Sequence, residues 1–101
     1  MAFAVMNVVA ATPETFPDLL AWFASTGFEK LEAHAGFRAA RFYRAEEDTE
    51  AVMITEWDSR DDFLAYRQSL AGQEAVKTAL RWHPRISFFD IVAAADRVRR
   101  P

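Results

Sequence analysis

The segment Phe3–Ala10, which reads FAVMNVVA, is the feature that most constrains how this chain folds. It carries no charge, and such a run is typical of a strand buried on both faces. Because side chains alternate along a strand, the eight residues form two sets on opposite faces: Phe3, Val5, Asn7 and Val9, and then Ala4, Met6, Val8 and Ala10. Neither set is polar enough to meet water, so each face needs a covering layer.

A helix and a hairpin are predicted after this strand. Apolar residues recur at helical spacing over residues 15–34, with Thr15 as the N-cap and Gly36 as the end of the helix. Two short runs, 37–45 and 51–57, flank an acidic segment, and this pattern predicts two antiparallel strands joined by a polar turn.

A capped helix and a last strand complete the predicted order. Ser59 and Asp62 have the spacing of a helix cap, the pair 71–72 interrupts the helix, and a further helical piece is predicted over 73–82. Residues 86–93 predict the final strand. The order β-α-β-β-α-β indicates an α+β, ferredoxin-like fold, in which a four-stranded antiparallel sheet carries both helices on one side.

Length and composition fit one small domain. The chain has 101 residues, of which 51% are hydrophobic, so we expect a single domain over residues 1–95 and a flexible basic tail over residues 96–101. The net charge of -3 argues against a nucleic-acid partner, and the lack of cysteine excludes disulfides and thiolate metal sites. No apolar run reaches the roughly 20 residues that cross a bilayer, so we expect a cytoplasmic protein without a membrane partner.

The predicted sheet has more apolar surface than two helices can cover. Helices on one side leave the second face bare, and that face would exceed the few hundred Å² that monomers usually expose. We therefore predict a homodimer in which two sheets pack face to face.

Two short motifs resemble those of a known family. They are similar to motifs of the antibiotic biosynthesis monooxygenase family: one is Ala35-Gly36-Phe37, and the other is Glu56-Trp57-Asp58-Ser59 ahead of Phe63. The resemblance extends over about residues 3–92. It implies the dimeric α+β barrel of that family. It also implies an activity, because members include cofactor-free oxygenases of aromatic polyketides and haem-degrading enzymes, besides proteins without a demonstrated reaction.

The resemblance implies three functional positions for the haem-degrading members. These are an Asn on the first strand, a Trp on the second helix and a haem-ligating His shortly after it. Asn7 matches the first position, but Tyr66 stands at the second and Val76 stands where the His would lie. Haem is therefore disfavoured, and we expect no cofactor.

Four residues are candidates for catalysis, and each has a structural alternative. Asn7 is an amide on an apolar strand face, so it either pairs with its neighbours or donates to a substrate oxygen. Tyr66 is either an amphipathic core aromatic or a donor into a cavity. His34 and His83 are either structural or the base that takes a substrate proton.

Four more residues are candidates for substrate binding, in a pocket between the helices and the sheet: Trp57, Phe63, Arg67 and Phe23. Arg67 either snorkels to water or binds an anionic group, and Trp57 is either a packed core aromatic or part of the pocket. The chemistry that the resemblance implies is oxidation of a small phenol or enol, whose anion itself reduces dioxygen. The alternatives are a haem-binding or haem-degrading enzyme of the same fold and a non-catalytic small-molecule-binding protein.

Overall fold

A four-stranded antiparallel sheet forms the centre of the computed structural model, which describes residues 1–22 and 28–95. Its strands lie in the order β2-β3-β1-β4 and have these bounds: β1 Phe3–Ala10, β2 Phe37–Arg44, β3 Glu50–Trp57 and β4 Arg85–Asp90. Strand β1 pairs with both β3 and β4, which explains why its sequence is apolar throughout. The predicted α+β, ferredoxin-like fold is confirmed.

The last strand ends three residues earlier than predicted. Phe3, the first residue of β1, pairs with Asp90, so β1 offers no further partner to a longer β4. One more backbone bond follows, from the Ile91 amide to the Ala2 carbonyl at 2.8 Å, and Val92 is then exposed. The tail predicted at 96–101 lies outside the described residues.

The helices have these bounds: α1 Phe16–Trp22, α2 Phe28–Glu32, α3 Arg60–Gln68 and α4 Leu70–Ala79, with a 3₁₀ helix at Leu80–Trp82. The helix predicted over 15–34 is described as α1 and α2, and the residues between them lie outside the described part. Gly36 has a φ of 82°, a conformation that glycine adopts without strain, in the turn that leads into β2. No helix in the described part is long and apolar enough to span a membrane.

Ser59 caps α3 as predicted. The Asp62 amide donates to Ser59 Oγ at 3.2 Å, and Ser59 Oγ donates to Asp62 Oδ2 at 2.8 Å. The cap fixes where α3 begins and thereby which of its side chains face the sheet. Phe63 and Tyr66, three residues apart on one side of the helix, are both buried.

The break between α3 and α4 lies at Ser69, so the prediction that placed it at residues 71–72 was wrong. Ser69 is extended, with φ -68° and ψ 161°; its hydroxyl donates to the Tyr66 carbonyl and accepts from the Gly72 amide. One serine thus ends α3 and caps α4. Leu70, the first residue of α4, is 82% exposed.

The core between the helices and the sheet is divided into two clusters. The Trp57 cluster contains Phe3, Val5, Leu31, Trp57, Phe63 and Tyr66. The Leu19 cluster contains Val9, Ala11, Leu19 and Ala51. Val5 and Val9 lie on the same face of β1 but belong to different clusters, and Asn7 stands between them.

The face of the sheet that points away from the helices, the outer face, is much more exposed than the helix-facing side. The fully buried residues of β1 and β3 all lie on the helix-facing side. On the outer face the central side chains are only half-buried: Ala4, Met6, Val8, Val52 and Ile54. Tyr43 and Phe89, at the two edges of that face, are each 46% exposed.

Replacing Gly72 with alanine is expected to destabilise the protein. A Cβ at this position would overlap the backbone carbonyl of Tyr66, which cannot move without shifting α3 against α4. In an ordinary helix the same change would stabilise by up to about 1 kcal/mol. We expect instead a loss of about 1–3 kcal/mol in the free energy of unfolding, measured by urea denaturation.

Lys77→Ala is the matched control for this change, because Lys77 is an exposed residue of the same helix. It is expected to alter the free energy of unfolding by less than about 0.5 kcal/mol. If Gly72→Ala were as stable as the wild type, the close approach of the two helices would be contradicted.

Candidate functional site

A cavity of about 120 Å³ lies between the helices and the sheet, where the two core clusters meet. Its wall takes Val5 and Tyr66 from the Trp57 cluster and Val9 and Leu19 from the Leu19 cluster. An engineered cavity of about 150 Å³ in another protein holds benzene, so this one has room for about one six-membered ring.

Asn7 is the polar residue that the central strand contributes to this wall. It lies in the middle of β1, opposite Met53 on one side and Ile86 on the other, and is half-buried. Within the described part of the chain its carboxamide has no hydrogen-bond partner. The side chain therefore offers two N–H donors and one acceptor to whatever occupies the cavity.

Tyr66 lines the cavity from α3. Its side chain is 8% exposed, and its ring centroid lies 5.3 Å from that of Trp57 and 5.3 Å from that of His34. Burial raises the pKa of the Tyr66 hydroxyl above its usual value. At neutral pH Tyr66 is consequently a neutral phenol that donates a hydrogen bond, and it is not a base.

Trp57 forms an apolar part of the wall. It is 0% exposed, and its indole Nε1 donates to Thr55 Oγ1 at 3.0 Å. Its ring also packs against Phe63, with centroids 5.7 Å apart. Since its polar atom already has a partner, Trp57 can contribute shape to the cavity but no free donor.

Arg67 lines the cavity although it is exposed, so it lies at the opening. No salt bridge to Arg67 occurs among the described residues, whereas Arg38, Arg41 and Arg44 each have an acidic partner. Its charge is therefore free to attract an anionic group at the entrance.

His34 lies just beyond α2 and is half-buried. Its Nδ1 is 3.1 Å from the Ala35 carbonyl, which can only accept, so Nδ1 carries the proton and Nε2 of the neutral ring keeps its lone pair. The ring stands edge-on against Tyr66 and Trp57. His34 is thus packed behind the cavity wall and is not itself a lining residue.

His83 is exposed and ends the 3₁₀ helix with a left-handed φ of 51°. It is absent from the cavity lining, although both of its neighbours belong to it. The structure thus brings together five of the sequence candidates: Asn7, Tyr66, Trp57, Phe63 and Arg67. It places neither histidine at the wall, and Phe23 lies outside the described residues.

Trp82 is a cavity residue that the sequence analysis did not single out. It follows α4 in the 3₁₀ helix, lines the cavity, and buries its indole Nε1 without a hydrogen-bond partner. The sequence placed it at the end of a helical piece before Pro84. A tryptophan with a polar atom to satisfy was the available signal, but only packing decides whether that atom finds a partner.

These features define the class of protein. It is an α+β protein of ferredoxin-like fold, with an apolar cavity and a few convergent polar groups between its helices and its sheet. The family model for antibiotic biosynthesis monooxygenase matches residues 2–78, and the chain therefore belongs to that family.

Solved structures with this fold include proteins of different activities. Rv0793 from Mycobacterium tuberculosis has a TM-score of 0.78 and 16% identity, covering 95% of this chain and 100% of its own. SnoaB, a cofactor-independent oxygenase from Streptomyces nogalater, has a TM-score of 0.75 and 15% sequence identity, and the match covers 95% of this chain and 98% of SnoaB. The heme-degrading protein Rv3592 from Mycobacterium tuberculosis has a TM-score of 0.74 and 18% sequence identity, and the match covers 95% of this chain and 100% of Rv3592. No curated protein sequence matches the chain.

The cavity does not fit haem. Val76, which stands where the resemblance implies the iron ligand, is an apolar lining residue, and the described lining contains no imidazole. No group of three potential metal ligands occurs within the described residues either. A cavity of about 120 Å³ is also well below the about 300–1,000 Å³ that pockets for drug-sized ligands usually measure, and a porphyrin is at least as large as such ligands.

Replacing Asn7 with leucine is expected to stabilise the protein. The change removes a polar group that lacks a protein partner and puts an apolar side chain of similar size into an apolar wall. We expect the free energy of unfolding to rise by about 1–3 kcal/mol in urea denaturation.

Thr55→Val provides the opposite comparison at the same wall. It deprives Trp57 Nε1 of its acceptor and is expected to lower the free energy of unfolding by about 1–3 kcal/mol. If Asn7→Leu lowered stability in the same way, the Asn7 amide would have a protein partner and the assignment of a free donor would be wrong.

Proposed function

We propose that this protein is a cofactor-independent monooxygenase that oxidises a small aromatic or enolic molecule with dioxygen. The observation that supports this most is the Asn7 carboxamide, which faces an apolar cavity and has no hydrogen-bond partner in the described part of the chain. A fixed donor in a water-poor site stabilises negative charge that develops on a substrate oxygen. The shared fold with a cofactor-independent oxygenase is consistent with this role.

The cavity limits the size of the substrate. A volume of about 120 Å³ suits one ring with a small substituent. Pockets for drug-sized ligands are usually larger, at about 300–1,000 Å³. Arg67 at the opening favours a substrate with an anionic or strongly polar group that remains near the surface.

The proposed reaction starts from the phenol or enol tautomer of a ketone, in which the methylene carbon of the keto form has become an sp² C–H conjugated to the hydroxyl; the new carbon–oxygen bond forms at this carbon. Loss of the hydroxyl proton gives an anion, which transfers one electron to dioxygen. The substrate radical and superoxide then form a carbon–oxygen bond, and the protonated peroxide loses water to leave a carbonyl. One oxygen atom stays in the product and the other leaves as water with two substrate hydrogens, so no external reductant is required.

Three residues receive roles in this reaction. Asn7 donates a hydrogen bond to the oxygen of the anion, and Tyr66, kept neutral by burial, donates a second one. We assign the base to His34, acting through one bridging water because its ring lies behind the cavity wall; the Ala35 carbonyl accepts its Nδ1 proton and leaves the Nε2 lone pair available. His83, exposed at the end of the 3₁₀ helix, takes no part.

Oxygen uptake by purified, metal-free protein is the test of this proposal. With single-ring enolisable ketones that carry a conjugated methylene carbon, and with larger anthrones, as candidate substrates, we expect uptake above the rate in buffer for at least one single-ring compound. Asn7→Leu is expected to lower kcat/KM by about 10²–10³-fold. His34→Gln is expected to lower it by about 10²–10⁴-fold.

His83→Gln is the matched control for the histidine, and it should leave the rate unchanged. Uptake no faster than in buffer with every compound would contradict the oxygenase activity. An active Asn7→Leu variant would contradict the role of the amide even if the enzyme proved to be an oxygenase.

Non-catalytic binding of a small molecule is the second candidate function. One observation favours it: the described lining residues include no carboxylate and no imidazole, so no strong base touches the cavity directly. Saturable binding of a single-ring compound without oxygen uptake would support this function in place of the first.

We also propose that the protein is a homodimer joined through the outer face of its sheet. The central side chains of that face are apolar and only half-buried in the single chain, and two aromatic rings at its edges are exposed. Monomers rarely leave a contiguous apolar face of this kind bare. The self-complementary solution is a twofold pair of sheets.

The mass in solution tests the dimer. Size-exclusion chromatography with light scattering should give twice the chain mass of 11.5 kDa. Ile54→Lys, at the centre of the outer face, should give the monomer mass, because two lysines would be buried against each other without counter-charges. Leu70→Lys, on the exposed side of α4, should remain a dimer. A wild-type protein that is monomeric at micromolar concentration would contradict the proposal.

A further inference from the structure

Arg67 is the one charged side chain among the described residues that line the cavity. The other described lining residues are neutral, and most of them are aliphatic or aromatic. Arg67 also lies in the exposed class, so its side chain extends from the cavity wall to the solvent. A single positive charge at the opening of an otherwise apolar cavity selects ligands by their charge as well as by their shape.

The guanidinium of Arg67 is not engaged by the protein. Within the described part of the chain it has no hydrogen bond and no ion pair. The carboxylates of its own helix, Asp61 and Asp62, lie in the first turn of α3, whereas Arg67 lies in the last. Glu74, the one carboxylate of α4, pairs with Lys30 at 3.6 Å. The fork of N–H donors is therefore available, on a flexible stem, to an anion held at the opening.

The balance of charge favours a carboxylate over a phosphate as this anion. One guanidinium can neutralise one carboxylate, to which it binds through two parallel hydrogen bonds. A phosphate monoester carries a charge of about -1.5 to -2 at pH 7 and would keep an excess negative charge. The net charge of -3 on the chain opposes that excess. The cavity of about 120 Å³ then holds the ring, and the carboxylate stays at the opening.

We propose that the ligand of this cavity is a single-ring carboxylate, whose ring fills the apolar space and whose carboxylate is bound by the guanidinium of Arg67. Asn7 comes from the sheet and Arg67 from α3, so the ring carries the oxygen that pairs with Asn7 away from its carboxylate. This inference rests on the proposed function for the use of the cavity as a ligand site, but it does not require turnover. Arg67 is a binding residue that sets the substrate class.

Two ligands of the same shape separate the charge from simple filling of the cavity. Benzoate carries the negative charge, and nitrobenzene is its neutral isostere. NMR titration of the protein measures the affinity for each. Arg67→Gln removes the positive charge at the opening, and Arg60→Gln is the matched control, because Arg60 is an exposed residue of the same helix outside the lining.

Arg67→Gln is expected to bind benzoate about tenfold more weakly and nitrobenzene equally well. This loss lies between that of an exposed ion pair and that of a buried hydrogen bond to a charged group. Arg60→Gln should leave both affinities unchanged. If the stem of Arg67 only packed against the wall, Arg67→Gln would weaken both ligands alike.

Salt gives a second readout, which needs no variant. Raising the ionic strength from about 0.01 M to about 1 M shortens the Debye length from about 30 Å to about 3 Å. We expect the wild-type protein to bind benzoate several-fold more weakly at the higher salt, whereas binding of nitrobenzene should not weaken. Phenyl phosphate provides a further comparison, and it should bind less tightly than benzoate.

The outcomes distinguish this inference from the proposed activity. A loss of affinity in Arg67→Gln that is confined to benzoate, without oxygen uptake from any substrate, would contradict the monooxygenase and support the inference. Equal losses for both ligands, no binding of either ring, or tighter binding of phenyl phosphate than of benzoate would overturn the inference. Oxygen uptake from a neutral enolisable ketone that is as efficient as uptake from its carboxylate analogue would also overturn it and leave the activity standing.

Discussion

An amide in the middle of an apolar central strand is the constraint on which the rest of the molecule depends. Val5 and Val9 pack into separate clusters on the same side of β1, and Asn7 between them has no hydrogen-bond partner in the described residues. A valine or leucine at this position would join the two clusters into one core. Asn7 stands between the two clusters instead, and it lines the cavity that lies at their boundary. The unpaired amide lowers the stability of the ligand-free protein, and a bound ligand that pairs with the amide restores that stability; such a trade is usual for binding sites.

The far wall of the cavity depends on how the second helical layer changes direction. Ser69 ends α3 and caps α4, and the close approach at Gly72 lets α4 cross over the Tyr66 carbonyl. The chain then tightens into a 3₁₀ helix, which turns Trp82 toward the sheet. Local capping chemistry in this way sets the positions of Tyr66 and Trp82, two aromatic residues that line the same cavity.

Alternation and capping made most of the fold predictable from the sequence. Strand β1 begins and ends where the apolar run does, and Ser59 caps α3 as its spacing with Asp62 indicated. The break at Ser69 was missed because glycine is the stronger local signal for an interruption, although here Gly72 serves a close contact inside the helix. Whether the Trp82 indole N–H finds a hydrogen-bond partner depends on which acceptors the folded chain brings within reach. No local sequence pattern contains that information.

The central claim is that the core is open between its two clusters and that a free amide faces the opening. A crystal structure of the ligand-free protein under xenon pressure measures this most directly, because xenon enters dry apolar cavities and shows their position. The account predicts xenon between the Trp57 and Leu19 clusters, beside an Asn7 amide that makes no hydrogen bond to the protein. A core closed by side chains, with Asn7 paired to the protein, would contradict it.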